Sequence, residues 1–298
     1  MLRHRIPTGL LISAIFLACC WFDRRDGTSW RLSTFIAVGT VIVLREFYAM
    51  VEAKGARPMK GFGIVMGVFL VYAHDLWCWE KWHNAPRTTP DLMMSVLALC
   101  VLGTCLLQGL RTDSNGAILN MGSTLMGLIY VWFLPTFLVK VRHLGIRNGW
   151  PTDGVDLVVL TIVASKISDI GAFFAGRRFG RHKLSPKLSP NKTWEGAAGG
   201  LAASLATVLL LRAILPGTAL GAFSIATAVF FALFMSVGST LGDLLESGMK
   251  RDSGFKDAGV IVPGFGGFLD VVDSLMVTSP LAYFFLLLAG ATPAGMPT

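Results

Sequence analysis

The sequence is 298 residues long, with 53% hydrophobic residues and only 15% charged residues. Its mean hydropathy of +0.62 excludes a soluble domain of this length, because a water-exposed surface needs more charge. The formal net charge is +8 at pH 7, but no stripe of basic and aromatic residues indicates nucleic-acid binding. The charge instead favours membrane topology signals and attraction to anionic lipids.

Apolar runs of about 20 residues predict membrane-spanning helices, because that length crosses the hydrocarbon core. Nine such segments occur: Pro7–Phe22, Leu32–Val51, Gly61–Trp79, Leu92–Leu110, Gly122–Lys140, Val155–Ala175, Gly196–Leu215, Gly221–Leu241 and Ser274–Gly290. We predict an all-α polytopic integral membrane protein with about nine transmembrane helices. Residues 1–298 form a single membrane domain in this interpretation. Spans one to five lie in residues 1–150, and the later spans and polar loops lie in residues 151–298.

The distribution of Lys and Arg among the loops predicts the orientation. With the N-terminus in the cytoplasm, the inside loops hold the larger share of these residues, although Arg24, Arg25 and Arg31 fall outside. We therefore predict a cytoplasmic N-terminus. The two most polar stretches, residues 168–196 and 247–274, then share the cytoplasmic face, because two spans separate them.

Charged and polar side chains lie around the start of the first polar stretch and near its end. Lys166 and Asp169 stand at i and i+3, so a helix places them on one face. This pair either stabilises helix packing or lines a wet cavity. Polar donors precede a Gly-rich helix start predicted at Gly196, and they are Ser189, Asn191, Lys192 and Thr193. Such donors before a helix N-terminus suit an anion.

Carboxylates lie before and after the turn Pro263–Gly267 of the second stretch. A helix places Asp243 and Glu246 on one face, and Asp270 and Asp273 are again three residues apart. Carboxylates that converge from two helix ends suit Mg²⁺, which keeps waters and accepts phosphate oxygens. A re-entrant loop whose charges pair internally fits the same spacing.

The turn between these carboxylates is rich in glycine. Gly266 and Gly267 would let backbone N–H groups approach a phosphate at the start of the next helix. Charged residues this close to hydrocarbon cost free energy, so a membrane protein rarely carries them without using them. The stretch therefore indicates phosphate and metal chemistry at a membrane face.

The spacing of residues 247–274 resembles the signature of the phosphatidate cytidylyltransferases, also called CDP-diacylglycerol synthases. The matching elements are Ser247, Lys250-Arg251, Lys256-Asp257, the turn Pro263–Gly267 and Asp270–Ser274. Residues 168–196 and Arg45–Tyr48 also look like blocks of this family. Two positions depart from it, because Phe265 stands where the family has His and Val271 where it has Arg.

The resemblance implies a nucleotidyltransferase that makes CDP-diacylglycerol and pyrophosphate from CTP and phosphatidate in phospholipid biosynthesis. It implies Mg²⁺, with a second cation as an option, held by Asp243 and Asp270. Asp273 would be a further ligand or a carboxylate beside the metal. The residues implied in phosphate or substrate binding are Lys250, Arg251, Lys256, Lys192, Ser189, Asn191, Thr193, Asp257, Asp169, Gly266 and Gly267. Among these, Lys250 joins the three aspartates as a catalytic candidate.

The same resemblance implies a location in the inner cell membrane, an active site on the cytoplasmic face and a homodimer. Two alternatives share some of these features. A CTP-dependent polyprenol kinase would transfer phosphate rather than a cytidylyl group. An ion or solute transporter would use Lys166, Asp169 and the carboxylate pairs within the membrane, although no convincing internal repeat supports it.

Overall fold

The structure, a computed structural model, describes residues 2–82, 92–111, 115–147, 154–255, 258–259 and 266–289. Most residues of this part of the chain are in helices. They are α1 (Leu2–Asp26), α2 (Trp30–Glu52), α3 (Lys60–Trp82), α4 (Leu92–Gly109), α5 (Ala117–Gly127), α6 (Phe137–Arg147), α7 (Val155–Phe179), α8 (Trp194–Ile214), α9 (Ile225–Ser253) and α10 (Leu269–Leu288). Two short strands, β1 (Lys183–Ser185) and β2 (Ser189–Thr193), lie between α7 and α8.

Every predicted span overlaps a helix or a helical stretch. Within the described residues, eight helical stretches are long and apolar enough to cross a membrane, and Met94–Gly109 is a shorter apolar helix. Many large apolar side chains on these helices are exposed, as lipid contact requires. The prediction of an all-α polytopic membrane protein is therefore confirmed, while its orientation stays a prediction.

The fifth predicted span is not one regular helix. A π-helical segment, Leu128–Phe133, follows α5 and leads to Pro135, after which α6 begins. Proline has no backbone N–H, so Pro135 removes one bond of the helical ladder at this point. The apolar pattern located the span but did not indicate its π-helical segment.

The chain divides into two compact units. The first comprises Met1–Val139 and Met249–Val272, and the second comprises Lys140–Gly248 and Asp273–Thr298. Helices α9 and α10 therefore each contribute residues to both units.

In the first unit, α2 is a buried central element. The Tyr48 hydroxyl donates a hydrogen bond of 3.1 Å to the Thr124 carbonyl oxygen of α5. The Thr124 hydroxyl accepts the Met59 N–H at 2.9 Å, which fixes the turn between α2 and α3. On another side of α2, a Cβ at Gly39 would lie 3.2 Å from the Phe268 ring. Helix α2 thus packs directly against the segment that precedes α10.

In the second unit, α7 and α8 pack closely because small residues face each other. A Cβ at Gly171 would lie 2.5 Å from the Ala203 Cβ, and one at Gly200 would lie 2.7 Å from the Ser168 carbonyl oxygen. Small residues let helix backbones approach in this way within membranes. The Ser168 hydroxyl donates a hydrogen bond of 2.9 Å to the Ser236 hydroxyl, which joins α7 to α9.

Strands β1 and β2, which lie between α7 and α8 in the chain, form an antiparallel hairpin. Lys183 lies opposite Thr193, and Ser185 lies opposite Ser189. Helix α8 begins at Trp194 rather than at the predicted Gly196. The Thr193 hydroxyl accepts the Gly196 N–H at 3.1 Å, so Thr193 is the N-cap. The capping bond accounts for the earlier start of the helix.

Candidate active site

Charged side chains from α7, β2, α9 and α10 come together in the second unit. We call this group the Lys166 cluster, and its members are Lys166, Asp169, Lys192, Asp243 and Asp273. Two basic side chains here lie among three carboxyl groups. All of them except Lys192 lie within helices long enough to cross a membrane, where charges are costly and commonly functional.

Lys166 makes contacts from α7 to α10. Its Nζ lies 3.5 Å from Asp169 Oδ2 and 3.8 Å from Asp273 Oδ1. The same Nζ donates a hydrogen bond of 2.6 Å to the Ser274 hydroxyl. The Ser239 hydroxyl of α9 donates to Asp169 Oδ1. The i, i+3 pair expected from the sequence is therefore one part of a network that spans three helices.

The hairpin brings Lys192 to α9. Glu195 accepts the backbone N–H groups of Arg181 and His182, which ties the end of α7 to the start of α8. Lys192 Nζ then lies 2.7 Å from Asp243 Oδ2 and 3.4 Å from the Thr240 carbonyl oxygen. A predicted phosphate-binding lysine and a predicted metal-binding aspartate thus contact each other.

Asp243 and Asp273 meet where α9 approaches α10. A Cβ at Gly242 would lie 2.6 Å from the Asp273 carbonyl oxygen, so the glycine permits the approach. The two carboxyl groups interact with each other electrostatically. Adjacent carboxylates repel each other unless a proton or a cation lies between them.

This carboxylate pair fits Mg²⁺, a hard cation that prefers oxygen ligands. Among the described residues, no group of three or more His, Cys, Asp or Glu side chains is placed to hold a metal ion. A pair of carboxylates is nevertheless sufficient for Mg²⁺, because this ion usually keeps several waters and takes substrate phosphate oxygens.

A separate group of contacts surrounds Asp270 in the first unit. Its Oδ1 accepts a hydrogen bond of 2.7 Å from Lys250 Nζ. Its Oδ2 accepts the backbone N–H groups of Ala258 at 3.0 Å and Gly267 at 2.7 Å. Both carboxylate oxygens therefore have donors from the protein. The predicted role of Asp270 as a metal ligand stays a prediction, as does the phosphate contact of the Gly267 N–H.

The interactions of Glu46 were not predicted from the sequence. This α2 side chain is only 4% exposed, and its two oxygens accept the N–H groups of Phe268 at 2.9 Å and Leu269 at 2.8 Å. The available signal was an ionisable residue inside a predicted membrane span, which is a functional candidate by default.

The remaining predicted residues have less distinctive surroundings. Arg251 and Asn191 are exposed, and Ser189 is half-buried at the start of β2. Gly266 has a φ of 103°, a conformation that favours glycine. Three residues that matter to the interpretation lie outside the described residues, and these are Lys256, Asp257 and Phe265.

These features define a polytopic α-helical membrane protein with charged clusters in its helices. A sequence model described as the cytidylyltransferase family matches residues 3–289. The chain is 39% identical to a phosphatidate cytidylyltransferase of Haemophilus influenzae, over 96% of this chain and 100% of the relative. It is 30% identical to one from Synechocystis, over 95% of this chain and 97% of the relative. It is also 38% identical to phosphatidate cytidylyltransferase 4, chloroplastic, of Arabidopsis thaliana, over 86% of this chain and 67% of the relative. The chain therefore belongs to the cytidylyltransferase family, which confirms the resemblance in the sequence.

Proposed function

We propose that this protein is a CTP:phosphatidate cytidylyltransferase. The observation that carries the proposal is similarity along nearly the whole chain to relatives named phosphatidate cytidylyltransferase. In the reaction, a phosphate oxygen of phosphatidate attacks the α-phosphorus of CTP. The bond from this phosphorus to the pyrophosphate group breaks, so the products are CDP-diacylglycerol and pyrophosphate.

A nucleotidyl transfer of this kind depends on positioning and on charge neutralisation. Lys192 and Lys166 supply positive charge within the Lys166 cluster, and we assign Lys192 to a phosphate of CTP or phosphatidate. Its contact with Asp243 orients the ammonium group before substrate arrives. The Thr193 side chain is buried and its hydroxyl accepts the N-cap bond, and its contact with substrate stays a prediction.

Lys250 and Arg251 have the same proposed role at the end of α9. The contact between Lys250 and Asp270 fixes the lysine side chain. Arg251 is exposed in the last turn of the helix, where a phosphate can reach its guanidinium group. Arginine binds phosphate through parallel N–H donors, so this side chain suits a charged substrate.

We further propose that Asp243 and Asp273 hold Mg²⁺. When bound, the metal supplies screening of the triphosphate charge and stabilisation of the pyrophosphate leaving group. The supporting observations are the close approach of α9 to α10 at Gly242 and the interaction between the two carboxyl groups. Asp169 is held by Lys166 and Ser239, and we place it beside this site as an electrostatic neighbour.

The active site belongs on the cytoplasmic face of the inner cell membrane in this proposal, because CTP is water-soluble and cytoplasmic. Phosphatidate reaches it from the lipid. The homodimer implied by the resemblance stays a prediction, which light scattering of the protein in detergent would test.

An experiment with CTP labelled at different phosphates distinguishes a cytidylyltransferase from a CTP-dependent kinase. Purified protein is incubated with Mg²⁺, phosphatidate or a polyprenol, and CTP labelled at either the α- or the γ-phosphate. A cytidylyltransferase transfers only the α-label to phosphatidate. Transfer of the γ-label to polyprenol would establish the kinase instead, and no transfer to either lipid would reopen the transporter alternative.

A further inference from the structure

We infer that Glu46 is a positioning residue for the reaction, which acts by holding the start of α10 and, through it, Asp270. The inference rests on the proposed function, because the effect of Glu46 is read out in cytidylyl transfer. Glu46 would thus contribute to the reaction although it lies far in sequence from residues 247–274.

Glu46 accepts hydrogen bonds from backbone N–H groups at the start of α10. The first N–H groups of a helix have no partner within the helix, and Glu46 accepts those of Phe268 and Leu269 with separate oxygens. A negative charge at this position also interacts favourably with the helix dipole. The side chain is buried, so these bonds form away from competing water and are correspondingly strong.

Two glycines let the backbone come close to the Glu46 carboxylate. A Cβ at Gly259 would lie 2.6 Å from Glu46 Oε1, and a Cβ at Gly267 would lie 2.9 Å from Glu46 Oε2. The backbone therefore passes directly against this carboxylate at two points, before the Pro263–Gly267 turn and at its last residue. A larger residue at either position would displace the Glu46 side chain or the backbone.

The contacts of Glu46 continue directly into those of Asp270. The successive N–H groups of Gly267, Phe268 and Leu269 are divided between the two carboxylates, with the first donating to Asp270 and the others to Glu46. A shift of this backbone would move the Asp270 carboxylate, and with it the acceptor of Lys250 Nζ. Glu46 thus positions Asp270, which holds the Lys250 ammonium group that we assign to phosphate binding.

The test compares Glu46→Gln with a matched variant elsewhere in the same unit, Asp23→Asn. Asp23 is fully buried and also accepts two backbone N–H groups at a helix start, those of Arg31 at 3.2 Å and Leu32 at 2.8 Å. Both substitutions replace a buried carboxylate cap by its amide. Only Glu46 accepts from backbone that adjoins Asp270.

The measurements are kcat and the KM for CTP, corrected for the folded fraction, together with the thermal unfolding midpoint in detergent. We expect Glu46→Gln to lower kcat/KM for CTP about tenfold or more, the effect of losing one charge-assisted hydrogen bond. Asp23→Asn should lower the unfolding midpoint and leave both kinetic constants of the folded protein unchanged. Glu46→Asp keeps the charge with a shorter reach, so it should recover part of the lost activity.

A second set of variants covers the case in which Glu46→Gln does not fold. Glu46→Asp and Gly259→Ala then carry the same kinetic comparison against Asp23→Asn. Unchanged kinetic constants in all folded Glu46 and Gly259 variants would overturn the inference while leaving the proposed function intact. An inactive wild-type protein would instead overturn the proposed function, and the inference with it.

Discussion

Lys192→Met tests whether the hairpin lysine serves the reaction or only braces the fold. The Lys192 Nζ to Asp243 Oδ2 distance is 2.7 Å, and the two side chains are 23% and 27% exposed. Methionine keeps most of the apolar stem and removes the ammonium group. The Lys166 cluster then loses one of its two cations, so the approach of a triphosphate becomes less favourable.

The size of the effect follows from the strength of a charge-assisted hydrogen bond, about 1.5–3 kcal/mol. Partial exposure screens the interaction, so we take the lower end of this range. One such bond to a CTP phosphate corresponds to about a tenfold change in an equilibrium constant. We therefore expect Lys192→Met to raise the KM for CTP about tenfold, with a smaller change in the KM for phosphatidate.

The assay measures initial rates of purified protein against CTP concentration in mixed micelles that contain phosphatidate. Lys187→Met is the matched control, because Lys187 is exposed at the turn of the same hairpin and should leave both constants unchanged. Wild-type kinetic constants in Lys192→Met would refute the assignment of Lys192 to a substrate phosphate. An equal loss in both variants would point to a general effect of charge.

Three further predictions concern the metal, Asp270 and helix packing. Asp243→Asn removes one carboxylate of the proposed metal pair and should raise the Mg²⁺ concentration for half-maximal activity about tenfold; an unchanged Mg²⁺ dependence would exclude Asp243. Asp270→Ala removes the acceptor of three donors, so we expect loss of turnover and a destabilisation of about 3–5 kcal/mol in thermal unfolding. Near-normal activity would remove Asp270 from the site. Gly171→Val should destabilise the protein by about 1–3 kcal/mol through overpacking against Ala203; Gly122→Ala, where a Cβ meets nothing within 4 Å, is its control, and equal unfolding midpoints would contradict the packing described.

The positions of the membrane helices could be predicted because spanning hydrocarbon requires a long apolar run. The apolar run alone predicted a span that ends at Leu241, while the spacing of Asp243 and Glu246 indicated that the helix continues. Helix α9 extends to Ser253. The hairpin β1–β2 was also missed, since its strands are short and mostly polar and their pairing depends on the flanking helices.

The types of residue at the site were predictable, whereas their pairing was not. Spacing placed Lys166 and Asp169 on one helical face, because that relation is local. The contact between Lys192 and Asp243 depends on how the hairpin folds against α9, which no local pattern specifies. Glu46 carried a signal as a charge within an apolar span, but its partners lie at the far end of the chain.

Product formation by the purified wild-type protein tests the central claim most directly. The protein is reconstituted with phosphatidate, Mg²⁺ and CTP, and CDP-diacylglycerol and pyrophosphate are quantified together by mass spectrometry and a coupled assay. The proposed function predicts equal amounts of the two products, both dependent on phosphatidate. Failure to form either product, under conditions in which an established phosphatidate cytidylyltransferase is active, would contradict it.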